Sequence, residues 1–211
     1  AEEFTIHGLL GSKTLTTTAG STIRDVATLV NNAFETTGVN ALASTQLKLE
    51  AKAFGADNTG SNSMSFTIQG KNSTATAVSA NIVFGSTTGT SDLSALRDAV
   101  NNYTTTTGVT ATLSADRTSI ILVQNEGYDI KLGDVDFAGD TATTGPRKAL
   151  VVTSLDNDEL TAGSSVILAD TAAVTTDAND VVASASGSAS TAMTLNTTAV
   201  SGIASVTDAD G

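Results

Sequence analysis

The chain has 211 residues, 40% of them hydrophobic, and carries 22 acidic against 10 basic side chains for a formal net charge of −12. A charge of that sign with scattered Lys and Arg is the wrong surface for a phosphate backbone, so nucleic acid is not an expected partner. The absence of cysteine excludes a disulfide scaffold and a thiolate metal or redox centre, and no run of about 18 apolar residues is present to cross a membrane as a helix.

Aromatics are only 4% of the residues, so the expected core is thin and built from Val, Leu, Ile and Ala. Phe4-Thr-Ile-His-Gly8 alternates apolar and polar residues and ends on glycine, which predicts a strand. Lys13 to Thr18 is expected to pair with it across a turn at Gly11-Ser12. From Ser21 the period changes. Ile23, Val26, Ala27, Val30 and Phe34 share one helical face, opposite Arg24, Asp25 and Asn31. Ser21 or Thr22 suits the N-cap, Asp25 suits the first turn, and the helix is expected to fail near Glu35 to Thr37, closed by a left-handed Gly38. A strand is expected to restart at Val39. Leu47, Leu49, Ala51 and Ala53 alternate with Lys48, Glu50 and Lys52, the pattern of a half-exposed antiparallel strand.

After a polar loop from Gly55 to Asn62 the pattern begins again. Phe66-Thr-Ile-Gln-Gly70 repeats Phe4 to Gly8 at a spacing of 62, and Asn101-Asn-Tyr-Thr-Thr-Thr-Thr-Gly-Val-Thr-Ala111 repeats Asn31-Asn-Ala-Phe-Glu-Thr-Thr-Gly-Val-Asn-Ala41 at a spacing of 70. The second copy thus carries about eight extra residues before its helix, around Ile82 to Phe84 and Gly85 to Thr90. Ser91 matches Ser21; Leu93, Leu96, Val100 and Tyr103 match Ile23, Val26, Val30 and Ala33; Gly108 matches Gly38. Further strands are expected at Ile120 to Val123 and along Tyr128, Ile130, Leu132, Val135 and Phe137.

The last third holds the single proline, Pro146, in a turn. Leu150-Val-Val and Ser165 to Leu168 read as strands, Asp156 to Glu159 and Asp177 to Asp180 as acidic turns. Weak alternation runs through Met193, Leu195, Val200, Ile203 and Val206, and no helix is expected. The fold class is therefore α+β and β-rich: two similar units, each a short helix on a small antiparallel sheet, and a mainly β C-terminal third.

Reactive chemistry is sparse. The one histidine, His7, lies on a predicted strand, and its counterpart in the second copy is Gln69, so the position does not need a titrating group. The acidic turns lack the spaced carboxylates of a calcium loop, and neither a phosphate-binding glycine loop nor a nucleophile elbow is present. No catalytic, cofactor-binding or metal-ligating residue is assigned, and no cofactor is expected. Thr104 to Thr107 have a composition that permits O-linked sugars.

The doubled unit resembles the internal repeat of bacterial flagellins, present in their variable outer region and in the flagellar cap protein. Ile23 to Asn32 with Thr36-Thr-Gly-Val-Asn-Ala41, and Leu93 to Asn102 with Thr106-Thr-Gly-Val-Thr-Ala111, carry the resemblance. Ile203-Ala-Ser-Val-Thr-Asp-Ala-Asp-Gly211 is similar to the stretch by which flagellins re-enter their C-terminal coiled-coil region. The resemblance implies a structural, non-enzymatic, surface-exposed domain of a secreted filament subunit, cut from a longer protein and located on the extracellular surface of the bacterial flagellum. It implies motility as the setting and other flagellin subunits as partners, held through core segments outside this sequence, with weak lateral contacts between outer domains. On this reading residues 1–64 and 147–211 form an inner subdomain and 65–146 an outer, inserted one. The alternative is a flagellar cap or adhesin-type binding module using the same repeat; it would show an exposed apolar or aromatic patch.

Overall fold

The computed structural model describes residues 2–19, 21–53, 60–84, 91–138, 148–155, 162–169, 181–185 and 191–195. In chain order the elements are β1 (Glu3–His7), β2 (Ser12–Thr16), α1 (Ile23–Asn32), α2 (Phe34–Thr37), β3 (Thr45–Ala53), β4 (Gly60–Gln69), β5 (Thr76–Phe84), β6 (Ser91–Asp92), α3 (Ser94–Asn101), α4 (Thr104–Thr107), β7 (Val109–Leu113), β8 (Ser119–Gln124), β9 (Ile130–Phe137), β10 (Lys148–Leu155), β11 (Ala162–Ala169), β12 (Val181–Ala185) and β13 (Thr191–Leu195). The fold is α+β and β-rich, with short helices and antiparallel sheets, as the patterning predicts. Pro146, the acidic turns at 156–159 and 177–180 and the segment 203–211 lie outside the described residues.

Two sheets share one core. The first runs β11-β10-β3-β8-β7 and the second β13-β12-β9-β4-β5-β6. Alternation along each strand turns one face inward. Leu47 and Leu49 of β3, Ile120 and Leu122 of β8, and Leu150 and Val152 of β10 meet Phe66 and Ile68 of β4, Ile82 of β5 and Leu132 of β9. Leu96 and Val100 of α3 enter the same cluster, and both are fully buried. The core contains more ring than the composition suggests. Phe66, Phe84 and Phe137 are all buried, and the rings of Phe84 and Phe137 lie 6.1 Å apart at 58°. On the outer face of β3, Lys48 and Lys52 bracket Glu50 at 3.3 and 3.7 Å, which is the half-exposed strand that its alternation predicts.

β9 changes phase partway. Ile130 and Leu132 are buried at even positions, Val135 and Phe137 at odd ones. The shift is a bulge: β4–β9 pairing slips between Ser65 and Thr67, and Asp134 takes a φ of 52°. Its carboxylate accepts a hydrogen bond from Thr67 Oγ1 at 3.1 Å, which steadies the unusual backbone.

The first copy is smaller and more open. Among the described residues β1 and β2 pair alone as a two-stranded sheet, with α1 packed over them. Leu15, Val30 and Ala33 are the buried residues there, and Phe4, Ile6, Leu29, Val39 and Ala41 pack around them only partly buried. Two expectations change. The helix breaks at Ala33, earlier than predicted, and a separate turn, α2, precedes Gly38. The break buries Ala33 and leaves Phe34, assigned to the buried face by periodicity, 46% exposed. The strand expected at Val39 forms only in the second copy, where β7 starts at Val109 and pairs with β8. In the first copy the chain reaches Thr45 before a strand begins.

The division drawn from the repeats does not follow the core. Its boundary between 64 and 65 falls inside β4, and β3 from the first segment pairs with β8 of the second as well as with β10. The hydrophobic clusters separate instead the β1-β2-α1 unit from the two-sheet body.

Candidate functional site

The residues that repeat most faithfully converge on one feature per copy, a helix end folded back on its own strand. Asn31 Nδ2 donates to the Ala41 carbonyl at 3.0 Å while Ala41 N donates to Asn31 Oδ1 at 2.8 Å. Asn101 and Ala111 repeat both bonds, at 2.9 and 2.8 Å. A side-chain amide is the group that can both donate to and accept from one peptide unit. The hydroxyls of Thr37 and Thr107 each donate 3.0 Å back to the carbonyls of Ala33 and Tyr103, and accept from Val39 N and Val109 N. Gly38 and Gly108 then take φ of 71° and 72° and donate to Phe34 O and Thr104 O.

The other repeated glycine has a different duty. A Cβ on Gly8 would overlap the Thr37 carbonyl oxygen, and one on Gly70 the Thr107 carbonyl oxygen. The strand end thus lies against the helix-closing turn, and the same carbonyls accept from Leu10 N at 3.2 Å and Lys71 N at 2.8 Å. This close approach is why the Phe-Thr-Ile-x-Gly signature ends on glycine in both copies.

The cleft between the two bodies is open, about 250 Å³, and is lined by Thr22, Arg24 and Asp25 of α1's start with Gly70, Gly127, Tyr128, Asp129 and Lys131. Thr22 and Asp25 form a capping box: Thr22 N donates to Asp25 Oδ2 at 2.9 Å and Asp25 N to Thr22 Oγ1 at 3.3 Å. The Thr22 backbone N–H, then its hydroxyl, hold the Asp25 carboxyl below its ordinary value of 3.8. Across the cleft, buried Gln124 accepts from Glu126 N and Tyr128 N through Oε1, both at 2.9 Å, and so shapes the turn that carries Gly127. The Arg24 guanidinium stacks 4.1 Å from the Tyr128 ring centroid. These contacts make a joint. Asp25 is engaged in its cap and Arg24 on the Tyr128 ring.

His7 is exposed on β1, its Nδ1 2.7 Å from Ser12 Oγ, while its counterpart Gln69 donates to the carbonyls of Asn72 and Ser73. Both side chains serve turns. Among the described residues no group of three or more His, Asp or Glu is placed to hold a metal ion, and no helix is long and apolar enough to cross a membrane. No family model matches this chain, and no curated protein matches it.

Proposed function

We propose that this chain is a structural, non-catalytic domain displayed on the surface of a bacterial flagellar filament, part of a flagellin-like subunit. The observation that carries the reading is the use of the repeat. Asn31, Asn101, Thr37, Thr107, Gly38 and Gly108 are the residues of the resemblance, and each is engaged in closing backbone. An acidic surface suits many copies held side by side in water, because like charge keeps neighbours from adhering.

The cap or adhesin reading keeps one observation in its favour. Leu9 is 98% exposed and Leu42 93%, with Leu10 and Phe34 also exposed, all in the first copy. Immunogold labelling with antibodies raised against the chain, applied to intact cells of the source bacterium, separates these readings. Decoration along the whole filament supports the filament domain. Gold confined to filament tips supports the cap, and bare filaments contradict both.

A further inference from the structure

The two copies differ at one edge. β4 is paired on both sides, by β5 and by β9. Its counterpart β1 is paired by β2 alone among the described residues. The two hairpins share Phe-Thr-Ile-x-Gly, the same seating of the final glycine on a threonine carbonyl, and a helix over the same apolar face. Burial differs in the same sense among the described residues. Phe66 and Ile68 are 1% and 0% exposed, whereas Phe4 and Ile6 are half-buried. An isolated two-stranded sheet is marginal, and an open strand edge is a template for another strand.

The second copy shows what such an edge accepts. β9 lies antiparallel to β4 with Gln69 opposite Lys131, Ile68 opposite Leu132 and Ser65 opposite Asp136. Carried to the first copy at the spacing of the repeat, His7, Ile6 and Glu3 take those places. The change from Ser65 to Glu3 matters. An acidic residue opposite Glu3, with Glu2 beside it, is repelled, and a basic one is attracted. β9 itself is engaged on β4, and its Asp136 has the wrong charge for β1.

We propose that the outer edge of β1 is a docking site for an extended segment of another polypeptide, added antiparallel as a third strand, apolar opposite Ile6 and basic opposite Glu3. Its apolar side chains extend the cover over Phe4 and Ile6, and its backbone takes the edge that no described strand pairs. The inference rests on the comparison of the two copies and holds whether or not the filament reading does.

The test uses two acetylated peptides, the sequence 130–137 and the same sequence with D136K, titrated into the isotope-labelled full chain and into its Glu3→Lys variant. The D136K peptide should bind the wild-type chain about threefold more tightly than the unaltered peptide, the scale of one cross-strand charge pair. The order should reverse on Glu3→Lys, with amide shifts centred on Glu3–His7. No perturbation of those amides at millimolar peptide, a preference unchanged by Glu3→Lys, or shifts centred on β4 would each overturn the proposal. Glu3 is exposed, so its reversal leaves the fold in place as a control.

Discussion

Each of Asn31 and Asn101 gives both ends of its amide to one residue of backbone, and the second does so in the more buried setting. Removing the Asn101 amide strands a part-buried peptide N–H and C=O, whereas the groups bonded to Asn31 are exposed. Asn101→Ala is expected to lower the unfolding free energy by about 1–3 kcal/mol, and Asn31→Ala by less, in urea titrations. Glycine separates two mechanisms. Gly38→Ala and Gly108→Ala place a side chain at positive φ and should each cost about 1 kcal/mol. Gly70→Ala drives a methyl into a carbonyl oxygen and should cost about 1–3 kcal/mol, more than either cap. Acid acts at the turns. The carboxyl of Asp25 is lowered by the Thr22 backbone and hydroxyl, that of Asp92 by Ser94, and that of Asp116 by the Ser114 hydroxyl and Thr118. A carboxyl lowered in the folded chain stabilises it above its unfolded value of 3.8, and the contribution fades as pH falls from there through the lowered value. Denaturation between pH 6 and 2 should show that decline, and Asp25→Asn should make it shallower.

At the level of elements, the helices α1 and α3 are sequence counterparts in unequal surroundings. Leu96 of α3 is fully buried between the sheets, while its counterpart Val26 of α1 is half-buried. Leu96→Ala should therefore cost about 2–5 kcal/mol and Val26→Ala under about 1 kcal/mol, read from the same titrations. Periodicity alone assigns both to a buried face, because it reports which side of a helix is apolar and says nothing of what covers it. The same limit explains Phe34. Its spacing fits the helix, but the chain breaks at Ala33, where no Gly or Pro marks the change. β9 is legible in its apolar residues, and the switch from even to odd positions already signals the bulge at Asp134. The left-handed glycines and the Thr22–Asp25 cap are local chemistry and were readable. Pairing of β3 with β8 and β10 is not local, and no repeat spacing encodes it.

The whole molecule uses one folding device twice, to different ends. In the second copy the Asn–Thr–Gly closure lies against the end of β4, a strand paired on both sides and built into the two-sheet core. In the first it closes a small unit joined to that core through Arg24, Tyr128 and Gly127. His7 and Gln69 each bond to their own turn, and the resemblance to flagellins supplies the proposed setting of a displayed domain. What spacing could not convey is that the copies are unequal, since the Asn, Thr and Gly of the two closures coincide while their neighbours do not. Native-state hydrogen exchange at equivalent amides measures that inequality directly. Ala111, Gly108 and Ile68 should exchange only through global unfolding, and Ala41, Gly38 and Ile6 should exchange through a smaller opening of the first unit. Equal protection across the three pairs would contradict the account.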